Sequence, residues 1–151
     1  MDHDATTPSL VQQIKDKYLG KEVTDARSPA GNWMGLRVES VATGNVTLSM
    51  IVRKEMTNPY GNIHGGIMSL VIDETIGWAV VSLEAENHYT SLNLNVDFLY
   101  ALKEGERLYA NARIVRSGKK IIHAVCEVNN AEGTLLAKAS SNLVVTSMKV
   151  Q

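Results

Sequence analysis

Residues 58–83, NPYGNIHGGIMSLVIDETIGWAVVSL, join a turn-rich loop to a long apolar segment that holds one pair of acids. The apolar part, residues 67–83, is long enough for about five helical turns and has apolar side chains on nearly every side. A helix that is apolar all round is expected to be buried. An ionised carboxylate in such a helix is unfavourable unless a partner satisfies it or chemistry uses it. We therefore predict a buried central helix and look for the functional site at Asp73.

Two other interpretations of this segment compete with a functional one. A transmembrane span is disfavoured by two adjacent acids and by Gly77. A core helix whose acid merely pairs with a backbone group or a distant arginine fits the helical pattern as well. The functional interpretation is favoured by a stripe of small residues around a single acid, at three- or four-residue spacing: Gly66, Ser69, Asp73 and Gly77. Such a stripe would let another backbone or a thin ligand come close.

Composition limits the classes of function. The chain has 151 residues, the usual size of one domain, and a formal net charge of −1. Its Lys and Arg residues are dispersed, which gives no basic surface for nucleic acid. The acidic first residues precede no apolar signal core, and the single cysteine, Cys126, excludes an internal disulfide. We expect a cytoplasmic protein that binds neither nucleic acid nor membrane.

Metal chemistry is not expected. The chain has four histidines, and their positions lack the spacing of metal ligands: His3, His64, His88 and His123. Cys126 lies on an alternating segment and is interpreted as a small buried hydrophobe. The predicted metal and cofactor set is therefore empty.

The segments before the central helix are predicted from local signals. Residues 8–18 carry apolar side chains at helical spacing, and Thr7 is the predicted N-cap before Pro8. Residues 21–34 are predicted to be a loop, because Ser28-Pro29 is a turn signal. Alternation of apolar and polar residues then predicts a hairpin from two strands, residues 36–41 and 46–52.

Alternation continues after the central helix. It predicts four strands, at residues 92–98, 108–115, 121–128 and 135–145. One long helix with six or so antiparallel strands indicates an α+β fold, with an antiparallel sheet wrapped around the helix. Because such a sheet leaves edges, we expect dimerisation through an edge strand. Residues 1–34 are taken as an N-terminal helix and loop of the same unit, and residues 35–147 as the main domain.

The central motif resembles that of the hotdog-fold acyl-CoA thioesterases, in the branch typified by the phenylacetate-degradation thioesterase. Asn58 stands six residues before His64-Gly65-Gly66, and Asp73 stands nine residues after the histidine. The likeness extends to residues 90–95, with Ser91 at the family's serine position, and to the turns at 105–106 and 116–119. It covers residues 35–145. The resemblance implies a hotdog fold, hydrolysis of acyl-CoA to free acid and CoA, and no cofactor beyond the CoA of the substrate.

The helix start suits the stabilisation of negative charge. Attack on a thioester places charge on the carbonyl oxygen, and fixed donors at that point are usually the largest catalytic effect. The first N–H groups of a helix have no intrahelical partner. We hypothesise that the Gly65 N–H polarises the carbonyl, while Gly65 and Gly66 leave the backbone open to the acyl group. The alternative is that both glycines only permit a tight turn into the helix.

Asp73 stands about 12 Å of helix rise beyond Gly65, too far for both to act on one carbonyl from the same helix. The resemblance implies a site shared between two subunits, with a homodimer as the smallest active unit and a homotetramer as the assembly. Asp73 would act as general base on water or as nucleophile, and both mechanisms stay open. Asn58 and Ser91 would hold the water or the carboxylate, unless they are merely a turn former and a strand hydroxyl. His64 would touch the thioester or brace the loop, and we favour bracing.

The turn at residues 116–120 is basic. Most such hairpin tips are only solvated surface, yet with a CoA substrate they are the best candidates for phosphate contacts. The residues assigned to this role are Arg116, Gly118, Lys119 and Lys120.

Two rival functions are kept. A hydratase or dehydratase of the same fold would need a histidine paired with an acid in a different arrangement. A non-catalytic acyl-CoA sensor would bind without releasing thiol. Acyl specificity stays open between aryl and aliphatic groups, with five candidate pocket residues: Tyr60, Met68, Trp78, Tyr89 and Leu99.

Overall fold

The computed structural model describes residues 6–151; His3, one of the four histidines considered above, lies outside them. Two short helices come first, then a hairpin, one long helix and four strands. Their bounds are α1 Leu10–Tyr18, α2 Pro29–Met34, β1 Arg37–Ala42, β2 Asn45–Ile51, α3 Gly65–Val81, β3 Asn87–Phe98, β4 Arg107–Ser117, β5 Ile121–Asn130 and β6 Leu135–Lys149. A single 3-10 turn, Lys54–Met56, lies between β2 and the loop that leads to α3.

The strands form one antiparallel sheet in the order β1-β2-β4-β5-β6-β3. One face of the sheet packs on α3, and apolar side chains from both fill the space between them. The largest fully buried members include Leu48, Met50, Ile72, Ile76 and Leu108. The predicted α+β architecture, a sheet around a central helix, is therefore confirmed.

Helix α3 begins and ends at residues that the sequence marks. His64 is its N-cap, and its imidazole Nδ1 accepts a hydrogen bond from the Gly66 N–H at 2.9 Å. At the other end, the Ser82 N–H donates to the Trp78 carbonyl. Glu84 then adopts a left-handed backbone conformation, φ 57°, which turns the chain away from the helix axis.

The prediction that α3 is buried all round is wrong for the single chain. One side, which includes Met68, Ile72 and Ile76, is fully buried against the sheet. The opposite side is open, and Asp73 is exposed to solvent there. The physical reason is that a sheet formed by one chain covers only one side of the helix. An apolar pattern on the other side calls for a further covering surface.

The two edges of the sheet differ. Beside β1, the Gly20 N–H donates to the Val38 carbonyl at 2.8 Å and the Val23 N–H donates to the Leu36 carbonyl at 2.7 Å, so residues 19–23 cover that edge. The far edge is β3, which pairs only with β6 within residues 6–151. Several apolar side chains on this strand and just beyond its end are exposed: Leu92, Phe98, Leu99 and Tyr100. These exposed groups support edge-to-edge pairing through β3, which stays a prediction.

Two local predictions in the N-terminal segment are wrong. The N-cap of α1 is Ser9 rather than Thr7, because the Ser9 hydroxyl accepts from the Gln12 N–H at 3.2 Å. Residues 29–34 are helical rather than a loop. Ser28 caps that helix, Pro29 takes its first position, and Gly35 ends it at φ 67°. Ile14 and Met34 are buried, so both helices pack on the same core as the sheet.

Candidate active site

The loop before α3 is held by the side chain of Asn58. Its Oδ1 accepts from the Tyr60 N–H at 2.9 Å and from the Asn62 N–H at 3.2 Å. Its main chain pairs with Asn62 as well. The turn-forming role considered for Asn58 is therefore real. Its Nδ2 makes no hydrogen bond within residues 6–151, so the amide keeps a donor for a ligand or a water.

The first turn of α3 presents an open backbone donor, at Gly65, beside this loop. The Gly66 N–H is used by the ring of His64, which braces the helix start. The Gly65 N–H has no acceptor within the described residues. Gly65 packs under the Phe98 ring, since a Cβ there would lie 3.4 Å from Phe98 Cζ. Asn58, Gly65 and Phe98 line one cavity of about 350 Å³, so the structure brings Asn58 and Gly65 together.

Asp73 lies two turns further along α3, beside the edge strand. The Ser91 hydroxyl on β3 donates to Asp73 Oδ1 at 3.1 Å. Both residues are exposed in the single chain. This contact orients the carboxylate and leaves its second oxygen free to accept from a water or to approach an electrophile. The structure thus pairs Asp73 with Ser91, which are eighteen positions apart in sequence.

The two groups of residues do not meet within one chain. The helix rise of about 12 Å separates Gly65 from Asp73, and no hydrogen bond links Asn58 or His64 to Asp73 in the part of the chain that is described. Asp73 and Ser91 lie on the open side of α3 beside the uncovered edge of β3. A second copy placed along that edge is the arrangement that could bring one helix start to the other copy's carboxylate.

Glu74 belongs to a different environment from its neighbour. The Ser28 hydroxyl donates to Glu74 Oε2 at 3.0 Å, and a Cβ on Gly31 would overlap the carboxylate. Partial burial raises the pKa of Glu74, against the lowering effect of the Ser28 hydrogen bond. Glu74 therefore fastens α2 to α3, and the sequence signal for this contact was the Ser28-Pro29 cap that was interpreted as a turn.

The basic turn forms a third group. Arg116, Lys119 and Lys120 are exposed and line a cavity of about 530 Å³ with His123 and Asn142. None of the three cations lies within 4.0 Å of a carboxylate in the described part of the chain, so their charges are available to an anion.

Gly118 has a different role from the one predicted. Its N–H donates to the Ile121 carbonyl at 2.9 Å, and its own carbonyl faces the Tyr89 hydroxyl. A Cβ on Gly118 would lie 2.8 Å from the Ile121 oxygen, which explains the glycine. Its amide is not available to a phosphate, so the predicted phosphate contacts are reduced to the three side chains.

The five candidate pocket residues separate into different places. Met68 and Leu99 line the cavity at Gly65, whereas Trp78 lines a separate apolar cavity beside α1. Tyr60 is 87% exposed and lines neither. The hydroxyl of Tyr89 faces the carbonyls of the basic turn, so it supports that turn rather than an acyl group.

Cys126 and His123 have structural surroundings. Cys126 is buried, and this burial raises the pKa of its thiol to about 12. His123 Nδ1 lies 2.8 Å from Asn142 Oδ1 in a cross-strand pair. No set of three or more metal-binding side chains converges within residues 6–151. Across the same residues, no helix has the length and apolar character needed to cross a bilayer.

A sequence model of the thioesterase superfamily matches residues 60–137, which span the helix start, Asp73, Ser91 and the basic turn. Among curated proteins, the chain is similar to acyl-coenzyme A thioesterase 13 of Homo sapiens. The two are 28% identical over 131 residues, covering 86% of this chain and 92% of the human protein.

Solved structures give the same picture. The E. coli PaaI protein from the phenylacetic acid degradation operon superposes with a TM-score of 0.77 at 20% identity, over 83% of this chain and 89% of that one. A hypothetical thioesterase of Streptococcus pneumoniae, solved with coenzyme A, gives 0.71 at 26% identity, over 76% and 88%. The predicted hotdog fold is thereby confirmed.

Proposed function

The chain belongs to the thioesterase superfamily, and from this premise we propose that it hydrolyses acyl-CoA thioesters at a site shared between two copies. The observation that carries the proposal is the position of Asp73. Its carboxylate is exposed on the open side of α3, beside an uncovered strand edge, and is oriented by Ser91 at 3.1 Å. Such a carboxylate suits a reaction partner that arrives from outside the chain.

The electrophilic half of the site is the start of α3. The Gly65 N–H is free and lies at the positive end of a seventeen-residue helix. A thioester carbonyl placed in the Gly65 cavity would accept from it, and this bond strengthens as charge builds on the oxygen. The free Nδ2 of Asn58 lies in the wall of the same cavity and supplies a second donor to the carbonyl or to the attacking water. Gly66 leaves the approach open, and His64 holds the turn.

The nucleophilic half is Asp73 of the other copy. As general base, it would take a proton from water as the water attacks the carbonyl carbon, and CoA would leave as the thiol. As nucleophile, its carboxylate oxygen would attack the carbonyl carbon and displace CoA as the thiolate, which leaves a mixed anhydride that water then cleaves to the free acid and the carboxylate. Ser91 holds the same carboxylate oxygen in both mechanisms, so they share one geometry.

The CoA half of the substrate is assigned to the basic turn. Arg116, Lys119 and Lys120 are exposed around one cavity and have no carboxylate within 4.0 Å among the described residues, so they are available to the phosphates of CoA. The relative from Streptococcus pneumoniae was solved with coenzyme A, which supports CoA as the carrier. No cofactor is needed for this chemistry, and a dimer, or a tetramer built from it, is the proposed active species.

The test of the reaction is thiol release from a panel of acyl-CoAs by wild type, Asp73→Asn and a matched control, Asp97→Asn. Asp97 is also exposed and lies on β3. We expect Asp73→Asn to lose at least about 10²-fold in kcat, because a positioned base or nucleophile contributes about that much, and Asp97→Asn to retain activity. Binding of acyl-CoA by wild type with no thiol released would favour the sensor and refute hydrolysis.

The shared site has its own test in a mixed dimer of Asp73→Asn and Gly65→Pro chains, isolated with two different tags. One of its two sites would combine an intact Gly65 with an intact Asp73. We expect each homodimer to be inactive and the mixed dimer to show about half of wild-type activity, one of two sites. An inactive mixed dimer of normal size would refute the shared site without refuting hydrolysis.

A further inference from the structure

A second cavity, of about 450 Å³, lies between α1, residues 25–28 and the C-terminal half of α3. Its lining is mostly carbon, from side chains of all three segments: Leu10, Ile14, Tyr18, Ala26, Trp78 and Val81. The rings of Tyr18 and Trp78 meet edge to face with centroids 5.6 Å apart, which makes one wall rigid. The size is typical of a cavity that takes a small organic group.

The polar groups around this cavity are largely satisfied by one another. Lys17 Nζ lies 3.1 Å from Asp25, and the Tyr18 hydroxyl donates to the same carboxylate at 3.0 Å. Glu74 accepts from Ser28. Arg27 is exposed to solvent. Because these groups leave no buried polar atom without a partner among residues 6–151, the cavity offers a ligand apolar surface rather than hydrogen bonds.

Gly77 connects the cavity to Asp73. It stands four residues, about 6 Å of rise, beyond Asp73 on the same side of α3. It lines the cavity, and a Cβ placed on it would meet no atom within 4 Å. Glycine disfavours a helix interior, and nothing in the backbone here demands it, since its φ is not positive. Because position 77 has no side chain, none stands on the surface of α3 between Asp73 and the cavity at this position.

We propose that this cavity binds the distal part of the acyl chain, and that the enzyme therefore prefers medium-length unbranched aliphatic acyl groups. The inference rests on the proposed hydrolysis at Asp73. A short acyl group ends near Gly77, whereas a longer chain continues along α3 towards Val81 and α1. A compact aryl group would leave the far end, at Leu10 and Ile14, unfilled.

The expected signature is a rise of kcat/KM with chain length. Each further methylene buried in the cavity should raise kcat/KM about fourfold, until the cavity is full. Acetyl-, butyryl-, hexanoyl-, octanoyl- and decanoyl-CoA, with phenylacetyl-CoA as the aryl comparison, measure this directly. A flat profile, or a higher kcat/KM for phenylacetyl- than for octanoyl-CoA, would overturn the assignment while hydrolysis itself stands.

Two variants test whether the preference for longer acyl chains arises in this cavity. Gly77→Leu would place a side chain between Asp73 and the cavity, and Val81→Trp would fill the far part. Leucine is a far better helix former than glycine, and a Cβ at position 77 meets no atom within 4 Å, so the helix itself accepts the change. If two or three methylenes are excluded, the octanoyl-to-butyryl ratio of kcat/KM should fall roughly fifteen- to sixtyfold. The matched control is Ile51→Trp, because Ile51 is 45% exposed and Val81 50% exposed, and Ile51 lines neither this cavity nor the one at Gly65.

A binding measurement separates this inference from the catalytic proposal. The chain has two tryptophans, so a Trp33→Phe background isolates the fluorescence of Trp78. Non-hydrolysable alkyl thioethers of CoA should change that fluorescence with an affinity that rises with chain length, and Gly77→Leu should remove the dependence. If Gly77→Leu lowered the affinity equally for all chain lengths, or if light scattering showed that the variant had lost its oligomer, Gly77 would be a subunit contact and the proposal would be overturned. No thiol release from any substrate would refute hydrolysis, while the fluorescence titration would still decide the cavity.

Discussion

Replacing Gly65 by proline removes the backbone N–H that we propose as a donor to the thioester carbonyl. Proline has no N–H, so Gly65→Pro deletes the open donor at the start of α3. The surrounding geometry accepts this residue. Gly65 is the first residue of the helix, where proline is favoured. His64, before it, has φ −67° and ψ 137°, the extended conformation that proline requires of its predecessor.

The expected loss of kcat follows from the number of open N–H groups at the start of α3. The Gly66 N–H is already used by His64 at 2.9 Å, so Gly65 provides the open amide of this pair. Removing one donor from an oxyanion site lowers kcat by about 10²–10³, or about 2.7–4 kcal/mol. Because the bond is strongest in the transition state, kcat should fall while KM changes little.

Gly65→Ala is the matched control. It adds the same Cβ, 3.4 Å from Phe98, but keeps the N–H. We expect Gly65→Ala to retain most activity in a thiol-release assay, and both variants to unfold at a denaturant concentration close to that of wild type. If Gly65→Pro and Gly65→Ala differ by less than about twofold in kcat, the amide of Gly65 does not stabilise the transition state and the assignment is wrong.

Two further predictions follow from burial. Because partial burial raises the pKa of Glu74 above 4.5, the folded chain holds this proton more tightly than the unfolded chain. The contribution of Glu74 to the free energy of unfolding is therefore greatest at acidic pH, where the group is protonated in both states, and is lost as pH rises through the raised pKa. Urea unfolding of wild type and Glu74→Gln should show that the free energy of unfolding of the variant rises relative to that of wild type as pH increases across that window. A difference in free energy that does not change with pH would contradict the assignment. Burial also raises the pKa of Cys126 to about 12, so its thiol should not react with an aromatic disulfide reagent at pH 8 until urea unfolds the protein. Rapid labelling of the folded protein would contradict the buried position.

Sequence patterns were sufficient for the elements whose periodicity is strong. Alternation predicted the hairpin of β1 and β2 and the four later strands, and the apolar run predicted α3. The prediction of a loop at residues 29–34 was wrong because Ser-Pro occurs both in turns and at helix starts, where serine is the N-cap and proline the first helical residue. Only the packing of α2 against Glu74 decides between the two.

The site could be predicted only in part. The pairing of Asp73 with Ser91 depends on β3 lying next to α3, which local pattern does not specify, and it was reached through the family motif. Exposure of Asp73 was missed because an apolar helix face looks the same whether its cover comes from its own sheet or from a second copy. The Gly118 amide was assigned to a ligand because sequence does not show that the turn itself uses this group.

If chains pair through β3 as proposed, a newly synthesised chain depends on finding another copy. A lone protomer exposes a row of main-chain groups along this edge, with Phe98 58% and Tyr100 67% exposed at its end. Such an edge can pair with extended segments of other proteins, so rapid assembly of the proposed dimer would protect the chain from aggregation. The melting temperature should accordingly fall on dilution, as the equilibrium releases unpaired protomers. In the proposed dimer, a mutation that weakens edge pairing would therefore lower the amount of folded protein without changing a catalytic residue.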